Sequence, residues 1–259
     1  MKEVTSINNQ MIKSLKKLRE KKYRDSLSKY LIEGLNLFKE ALKTKQDIVA
    51  ICINSSSKNI SSFESMMSEE LKARTILIPD EIFRTLSETV NPQDILAVIH
   101  KEYHDIKGAK NRFVILDQLQ DPGNVGTIIR TAEAAGFDGI IAVKGTADIY
   151  SSKVIRAAAG SLFRIGILEA IDSEEVLEYL QRKNVKLYAC DGDAKTEYVN
   201  ADLKQNIGIV IGNEGNGISA PFLKNSNTIS IPMKDDTESL NAAVAAGIVI
   251  YESVRQNRF

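Results

Sequence analysis

The chain has 259 residues, 43% of them hydrophobic, and its 34 Lys and Arg balance 34 Asp and Glu to a formal net charge of zero. That length allows one large domain or two modest ones around a substantial core, and no run reaches the roughly 18 apolar residues that a membrane helix needs. The N-terminal MKEVTSINNQ has no apolar segment of the secretory kind, so the expected compartment is the cytoplasm, and Cys52 and Cys190 read as reduced core thiols rather than a disulfide or metal pair.

The even balance hides a local excess, because residues 1–29 hold nine Lys or Arg against three Asp or Glu. Such a cluster suits a polyanion partner, although a solvated helix face accounts for the charge equally well. Around residues 8–22, Ile7, Met11, Leu15 and Leu18 line one stripe and the lysines the other, which predicts one amphipathic basic helix capped by Ser6 or Asn8. Short alternating units follow: strand YLIEG, a helix over 36–43, strand IVAICIN, a Ser/Asn-rich loop over 54–62, a helix near 63–72, strand TILIP, helix DEIFRTLSE and strand ILAVIH. These predict a small α/β domain over residues 1–108. The polar stretch KEYHDIKGAKN, with Gly108, marks the boundary. His100 and His104 have an i, i+4 spacing that can share a metal, but no third ligand of metal-site spacing accompanies them, and they read as linker residues.

Over residues 109–259 the order is strand FVILD, a helix to Gly136, strand GIIAV, a helix near 151–159, strand RIGIL, helix SEEVLEYLQRK, strands VKLYAC and IGIVIG, a Gly-rich loop, strand TISIP and a last helix. Apolar strands alternating with helices predict a parallel sheet covered on both faces. Ligands in such sheets bind outside the carboxyl ends of the strands, so loops 118–126, 191–193, 212–218 and 232–240 are the ones to examine. From Leu240 to Tyr251 every residue but Asn241 is small, aliphatic or aromatic, so the last helix is expected to be buried on all sides. Polar Ser239 and Asn241 at its entrance would cost about 1–3 kcal/mol each if buried unpaired. Either Thr237 or Ser239 caps the helix while Asn241 satisfies a neighbouring loop, or the two touch something specific.

Two loops carry further signals. In DQLQDPGNVGTIIRTAEAAG, Asp121, Pro122 and Gly123 turn the chain into a helix whose buried stripe is Val125, Ile128, Ile129, Ala132 and Ala135. Asn124 and Arg130 lie free of that stripe, although Arg130 and Glu133 have the spacing of a surface ion pair. In IGNEGNGIS, three glycines surround Asn213 and Glu214 and let backbone amides approach a ligand closely. Neither dinucleotide nor nucleoside-triphosphate fingerprints occur.

Taken together, the loops resemble the three sequence motifs of the SpoU (TrmH-like) family of RNA ribose 2′-O-methyltransferases. The first motif is similar to Asp121 through Gly126 with Arg130 and Gly136, and the second to Ile211 through Gly215 with Gly217, Ile218 and Ser219. The third is similar to Ile231, Pro232 and Met233 with Ser239, Leu240, Asn241 and Ala245. The likeness covers residues 112–254 and extends to Arg156 through Ser161, while Lys234, Asp235 and Asp236 replace a glycine common after the proline-methionine pair. Arg24, Glu33 and Gly34 carry a weaker likeness to a small α/β RNA-binding fold shared with certain ribosomal proteins.

The resemblance implies a C-terminal parallel-sheet domain tied in a deep trefoil knot, a smaller N-terminal α/β RNA-binding domain, and S-adenosylmethionine as methyl donor without a metal. It places Gly212, Asn213, Gly217, Ile231, Met233 and Leu240 on the donor, and makes Asn124, Arg130, Glu214, Ser239 and Asn241 the catalytic set. Arginine remains protonated in nearly all settings, so Arg130 is expected to position phosphate and the 2′-hydroxyl rather than act as a base. The active site is expected at a homodimer interface, where Arg130 serves its own or the neighbouring subunit. Lys16, Lys17, Arg19, Lys21, Lys22 and Arg24 are the expected RNA-phosphate contacts. Ribosomal RNA is the expected substrate; transfer RNA, methylation of a base, and a non-catalytic RNA-binding protein of the same fold are the alternatives.

Overall fold

Strands form where Val and Ile concentrate, because branched side chains fit a pleated, buried surface. The computed structural model describes residues 1–101, 106, 110–234 and 239–258. Two units result, Met1–Glu102 with Tyr150–Ile155 and Tyr103–Ile149 with Arg156–Phe259.

The first unit runs β1 (Lys2–Glu3), α1 (Gln10–Lys17), α2 (Lys21–Leu27), β2 (Lys29–Glu33), α3 (Leu35–Lys43), β3 (Ile48–Asn54), α4 (Ile60–Ser65), α5 (Glu69–Ala73), β4 (Thr75–Ile78), α6 (Asp80–Leu86) and β5 (Ile95–His100). Its sheet has the order β1-β4-β3-β5-β2, with β5 antiparallel to both neighbours and the other pairs parallel. Ile12, Leu15 and Leu18 pack against Phe83, Leu86 and Leu96 in one core.

The single basic helix expected from the sequence is two helices. At Leu18, Arg19 and Glu20 the backbone N–H groups bond three residues back instead of four, which ends α1. The cap is Asn9, whose Oδ1 accepts from the Met11 N–H at 2.8 Å, rather than Ser6 or Asn8. Ile7 is 45% exposed and Ile12 takes its place in the buried stripe. His100 is the last residue of β5, paired with Lys29, and so is not a linker residue. His104 and the expected boundary at 108/109 lie outside the described residues.

The chain continues with β6 (Arg112–Leu116), α7 (Pro122–Ala134), β7 (Gly139–Val143), α8 (Ser152–Ala158), β8 (Gly166–Ile171), α9 (Ser173–Arg182), β9 (Lys186–Cys190), β10 (Ile207–Ile211), α10 (Ala220–Asn225), β11 (Asn227–Ile229) and α11 (Ala242–Arg258), all in the second unit except α8, whose residues up to Ile155 group with the first. All six strands are parallel, in the order β11-β9-β10-β6-β7-β8. Phe113, Ile115, Ile141 and Val210 meet Val176 and Leu180 of α9 and Phe222 of α10 on one face. Side chains alternate along a strand, so Val114, Ile140 and Ile209 face the other side, where α7 and α11 pack. Leu116 pairs with both Ile211 and Ala142, which brings the loops after β6, β7 and β10 to one level at the carboxyl edge.

The last helix departs from expectation. It is not buried on all sides: Val244 is 51% and Tyr251 52% exposed. One face of α11 lies against α7 and β10, and positions 244, 248 and 251 fall on a helical stripe that a single chain leaves uncovered. Its far end is fastened to the segment before β10. Ser253 Oγ donates to the Leu203 carbonyl at 2.6 Å, Gln256 Nε2 to the Ala201 carbonyl at 2.9 Å, and Asn257 Nδ2 to the Lys204 carbonyl at 2.8 Å. Gln256 Oε1 in turn accepts from the Leu203 N–H at 2.8 Å. Among the described residues no helix is long and apolar enough to cross a membrane.

Candidate active site

The loop after β10 turns back on itself. Asn213 and Gly217 exchange two backbone hydrogen bonds of 2.9 Å each, and the Asn213 Oδ1 accepts from the Gly215 and Asn216 N–H groups, also at 2.9 Å. The turn is tight enough to require glycine at its base, since a Cβ on Gly212 would lie 2.5 Å from the Gly217 carbonyl. Both ends of the loop are anchored on consecutive residues after β6. The buried Asp117 carboxylate accepts from the Ser219 N–H at 2.6 Å, and the Gln118 carbonyl accepts from Asn213 Nδ2 at 2.9 Å. Gln118 takes φ 59°, a conformation uncommon outside glycine.

From that base the chain enters α7, where Asp121 caps the helix by accepting from the Asn124 N–H at 2.8 Å and Pro122 occupies the first turn. Glu214 reaches across to this turn. Its carboxylate accepts from the Gln120 N–H at 3.0 Å, the Asp121 N–H at 3.1 Å and Asn124 Nδ2 at 3.1 Å. Partial burial raises the Glu214 carboxyl, but the Gln120 and Asn124 donors and the neighbouring amides outweigh it and hold the group below its ordinary value. The Asn124 Oδ1 accepts from Asn241 Nδ2 at 2.9 Å. Asn241 thus serves both roles: its Oδ1 caps α11 at the Ala243 and Val244 N–H groups, at 2.9 and 3.2 Å, while its amide crosses to Asn124. The cap is therefore not Ser239; Thr237 lies outside the described residues.

Beside this chain of bonds lies a cavity of 330 Å³, of the size that takes small ligands. Gly212, Asn213, Gly217 and Leu240 line it among the expected donor residues, together with Glu214, Ser239 and Asn241 of the expected catalytic set. Ile231 and Met233 do not line it; Met233 approaches Gly192 instead. The apolar walls include Ile211, Ile218, Ala242, Ala245 and Cys190. Cys190, expected as a core thiol, is the last residue of β9 and forms part of the cavity wall, where burial pushes its thiol up to about 12. A lining of glycines, apolar side chains, amides and one carboxylate fits a small ligand that is part apolar and part polar. Among the described residues no group of three or more His, Cys, Asp or Glu could hold a metal ion.

Arg130 stands apart from the cavity. It is exposed and makes no hydrogen bond or ion pair among the described residues. At about 100° per residue, it points about 120° away from Asn124 on α7. Glu133, its expected partner, bonds Arg164 Nε at 2.9 Å and Ser161 Oγ at 3.1 Å. The loop after β7 was not singled out from the sequence, yet it packs here. Thr146 Oγ1 donates to the Leu116 carbonyl and the Ala147 N–H to the Leu119 carbonyl, both at 2.8 Å. Its only sequence signal is its place at a strand end.

In the first unit the expected phosphate contacts divide. Arg24 is 6% exposed and donates to the Leu18 carbonyl at 2.7 Å, closing the break between α1 and α2, so it is not a surface contact. Arg19 bonds Glu88 at 3.0 Å, and Lys21 bonds Asp25 at 2.8 Å. Lys17 and Lys22 stand 5.3 and 5.8 Å from the Tyr23 ring and, with Lys16, pair with no carboxylate among the described residues.

A family model described as the SpoU rRNA Methylase family matches residues 111–251, and one described as an MRM3-like substrate binding domain matches residues 9–97. The 23S rRNA (guanosine(2553)-2′-O)-methyltransferase RlmP of Bacillus subtilis (strain 168) is 33% identical over 97% of this chain and 98% of its own. The AdoMet-bound rRNA methyltransferase from Sinorhizobium meliloti superposes with a TM-score of 0.85 at 30% identity, covering 98% of this chain and 97% of that one. The SpoU methyltransferase AviRb from Streptomyces viridochromogenes, in complex with AdoMet, does so with 0.85 at 26% identity over 96% and 98%. With a family model spanning more than half its length and a relative alike from end to end, the chain belongs to the SpoU rRNA methylase family.

Proposed function

We propose that the protein transfers a methyl group from S-adenosylmethionine to a ribose 2′-hydroxyl of ribosomal RNA in the cytoplasm, acting as a homodimer. The observation that carries this reading is the unbroken bond chain Asn241–Asn124–Glu214 along the mouth of the glycine-based cavity, in a chain whose relatives are named as 2′-O-methyltransferases of 23S rRNA. Gly212, Asn213, Gly217 and Leu240 would hold the donor, which when bound supplies a methyl group on a positively charged sulfur.

The side chains divide the remaining work. Asn124, Glu214 and Asn241 hold one another, so they fix the mouth of the cavity rather than swing onto substrate. Ser239 and Arg130 make no bonds among the described residues, and both are exposed. They are the groups free to take the ribose and its phosphate, fixing a near-attack geometry worth several kcal/mol. Arg130 does not line its own cavity, which supports the reading that it serves the partner's. The uncovered stripe of Val244 and Tyr251 on α11, the helix packed against α7, supports pairing through that side. The bonds from Ser253, Gln256 and Asn257 to residues 201–204 would help hold a closed loop about the last helix, as a trefoil knot requires.

The test is methylation of cellular RNA by the purified protein with labelled donor, followed by nucleoside analysis and mapping of 2′-O-methyl positions. Label in 2′-O-methylnucleosides of ribosomal RNA is expected; label in a base, in transfer RNA alone, or in neither selects one of the alternatives.

A further inference from the structure

Gln120 bonds both the loop after β7 and Glu214, a residue of the loop after β10 that lines the cavity. Its N–H donates to Glu214 at 3.0 Å, and both hydrogens of its side-chain amide are taken: Nε2 donates to the Gln118 carbonyl at 3.2 Å and to the Gly145 carbonyl. Those acceptors are themselves held in place. The Gln118 carbonyl also takes Asn213 Nδ2, and Thr146 and Ala147 bond the segment that follows Gly145 to Leu116 and Leu119. Flipping the amide would set Oε1 against two carbonyl oxygens, so the orientation is determined by its neighbours. Oε1 then remains an acceptor with no partner among the described residues, on an exposed side chain one residue before the turn that carries Asn124.

We infer that Gln120 reads the base of the nucleotide being methylated, its Oε1 accepting a hydrogen bond from a ring N–H. The inference rests on the reading of this site as a ribose methyltransferase. Guanine at N1 and uracil at N3 carry a hydrogen on the pairing edge, whereas adenine at N1 and cytosine at N3 carry a lone pair, which would face Oε1 acceptor to acceptor. Proteins that select unpaired RNA bases read this same edge. Gln120 therefore favours guanine or uracil at the target position. An unmet hydrogen bond of this kind is worth about ten- to a hundredfold in efficiency.

The experiment uses the full-length protein and RNA transcripts spanning its mapped 2′-O-methyl site, with the target nucleotide changed to each of the four bases, to inosine and to 2-aminopurine. Inosine keeps the N1 hydrogen and 2-aminopurine lacks it. The expected result is kcat/KM for guanosine, uridine and inosine about ten- to a hundredfold above that for adenosine, cytidine and 2-aminopurine. Gln120→Ala should bring the two groups together while S-adenosylmethionine affinity by calorimetry stays within about twofold, a loss of discrimination that a merely structural role would not produce. Equal rates on all six transcripts, a natural target that is adenosine or cytidine, or a Gln120→Ala protein that keeps the wild-type preference would each overturn the inference while leaving ribose methylation intact. Absence of any 2′-O-methyl product would instead overturn the reading on which it rests.

Discussion

Asn124 is the residue on which the three loops depend, because its amide gives to Glu214 and its carbonyl takes from Asn241. Asn124→Ala removes both bonds and is expected to lower methylation by about a hundredfold or more, the scale on which a small misplacement of the reacting groups slows an oriented reaction, with donor affinity nearly unchanged. Arg130→Ala is expected to do the same from the substrate side. Single-turnover assays beside calorimetry check both, and turnover within about threefold of wild type would remove the residue from the mechanism. Gly212→Val is expected to do the opposite. Its Cβ would meet the Gly217 carbonyl backbone at 2.5 Å, so the loop must shift and donor affinity should fall by more than about tenfold in a folded protein, read by calorimetry. The likeness to three family motifs, more than residue type or spacing, singled out Asn124, Glu214 and Asn241 in the sequence, and the structure brings the three together. Cys190 and Gln120 were not legible there, since a cysteine at the end of an apolar strand looks like core and an exposed glutamine has no spacing to give it away.

At the scale of elements, periodicity located nearly every strand, because a doubly covered strand must be apolar throughout. It failed where an element answers to something beyond its own pattern. The basic stretch reads as one helix, yet Arg24 turns inward to the Leu18 carbonyl and fixes a break there. The apolar run of α11 reads as buried, yet in one chain Val244 and Tyr251 are half exposed. If a second copy covers that stripe, Val244→Asp with Tyr251→Asp should turn the dimer into a monomer, seen by sedimentation at micromolar concentration, because two carboxylates would have to be desolvated without partners. A wild-type protein that already sediments as a monomer would show that the stripe stays open to solvent.

The whole molecule divides less simply than its sequence suggests. Composition placed two consecutive domains, but Tyr150–Ile155 groups with the first unit, so no single cut in the chain separates them. Substitution is therefore the cleaner way to test whether RNA affinity and chemistry are separable. Changing Lys16, Lys17 and Lys22 to Gln is expected to lower the slope of log affinity against log salt by about two, at about 0.7–0.9 for each phosphate contact, and to leave donor binding unchanged. An unaltered slope would make this patch a solvated face. The fastening of α11 to residues 201–204 has a consequence of another kind. The Leu203 amide lies in a segment without regular structure, yet its hydrogen is held by Gln256, and the residue is fully buried. Its exchange for deuterium should thus be as slow as that of the sheet, since the amide is released only when the end of α11 comes away. Gln256→Ala should speed exchange at Leu203 while the central strands keep their protection, making this one amide a reporter of how tightly the last helix is tied in.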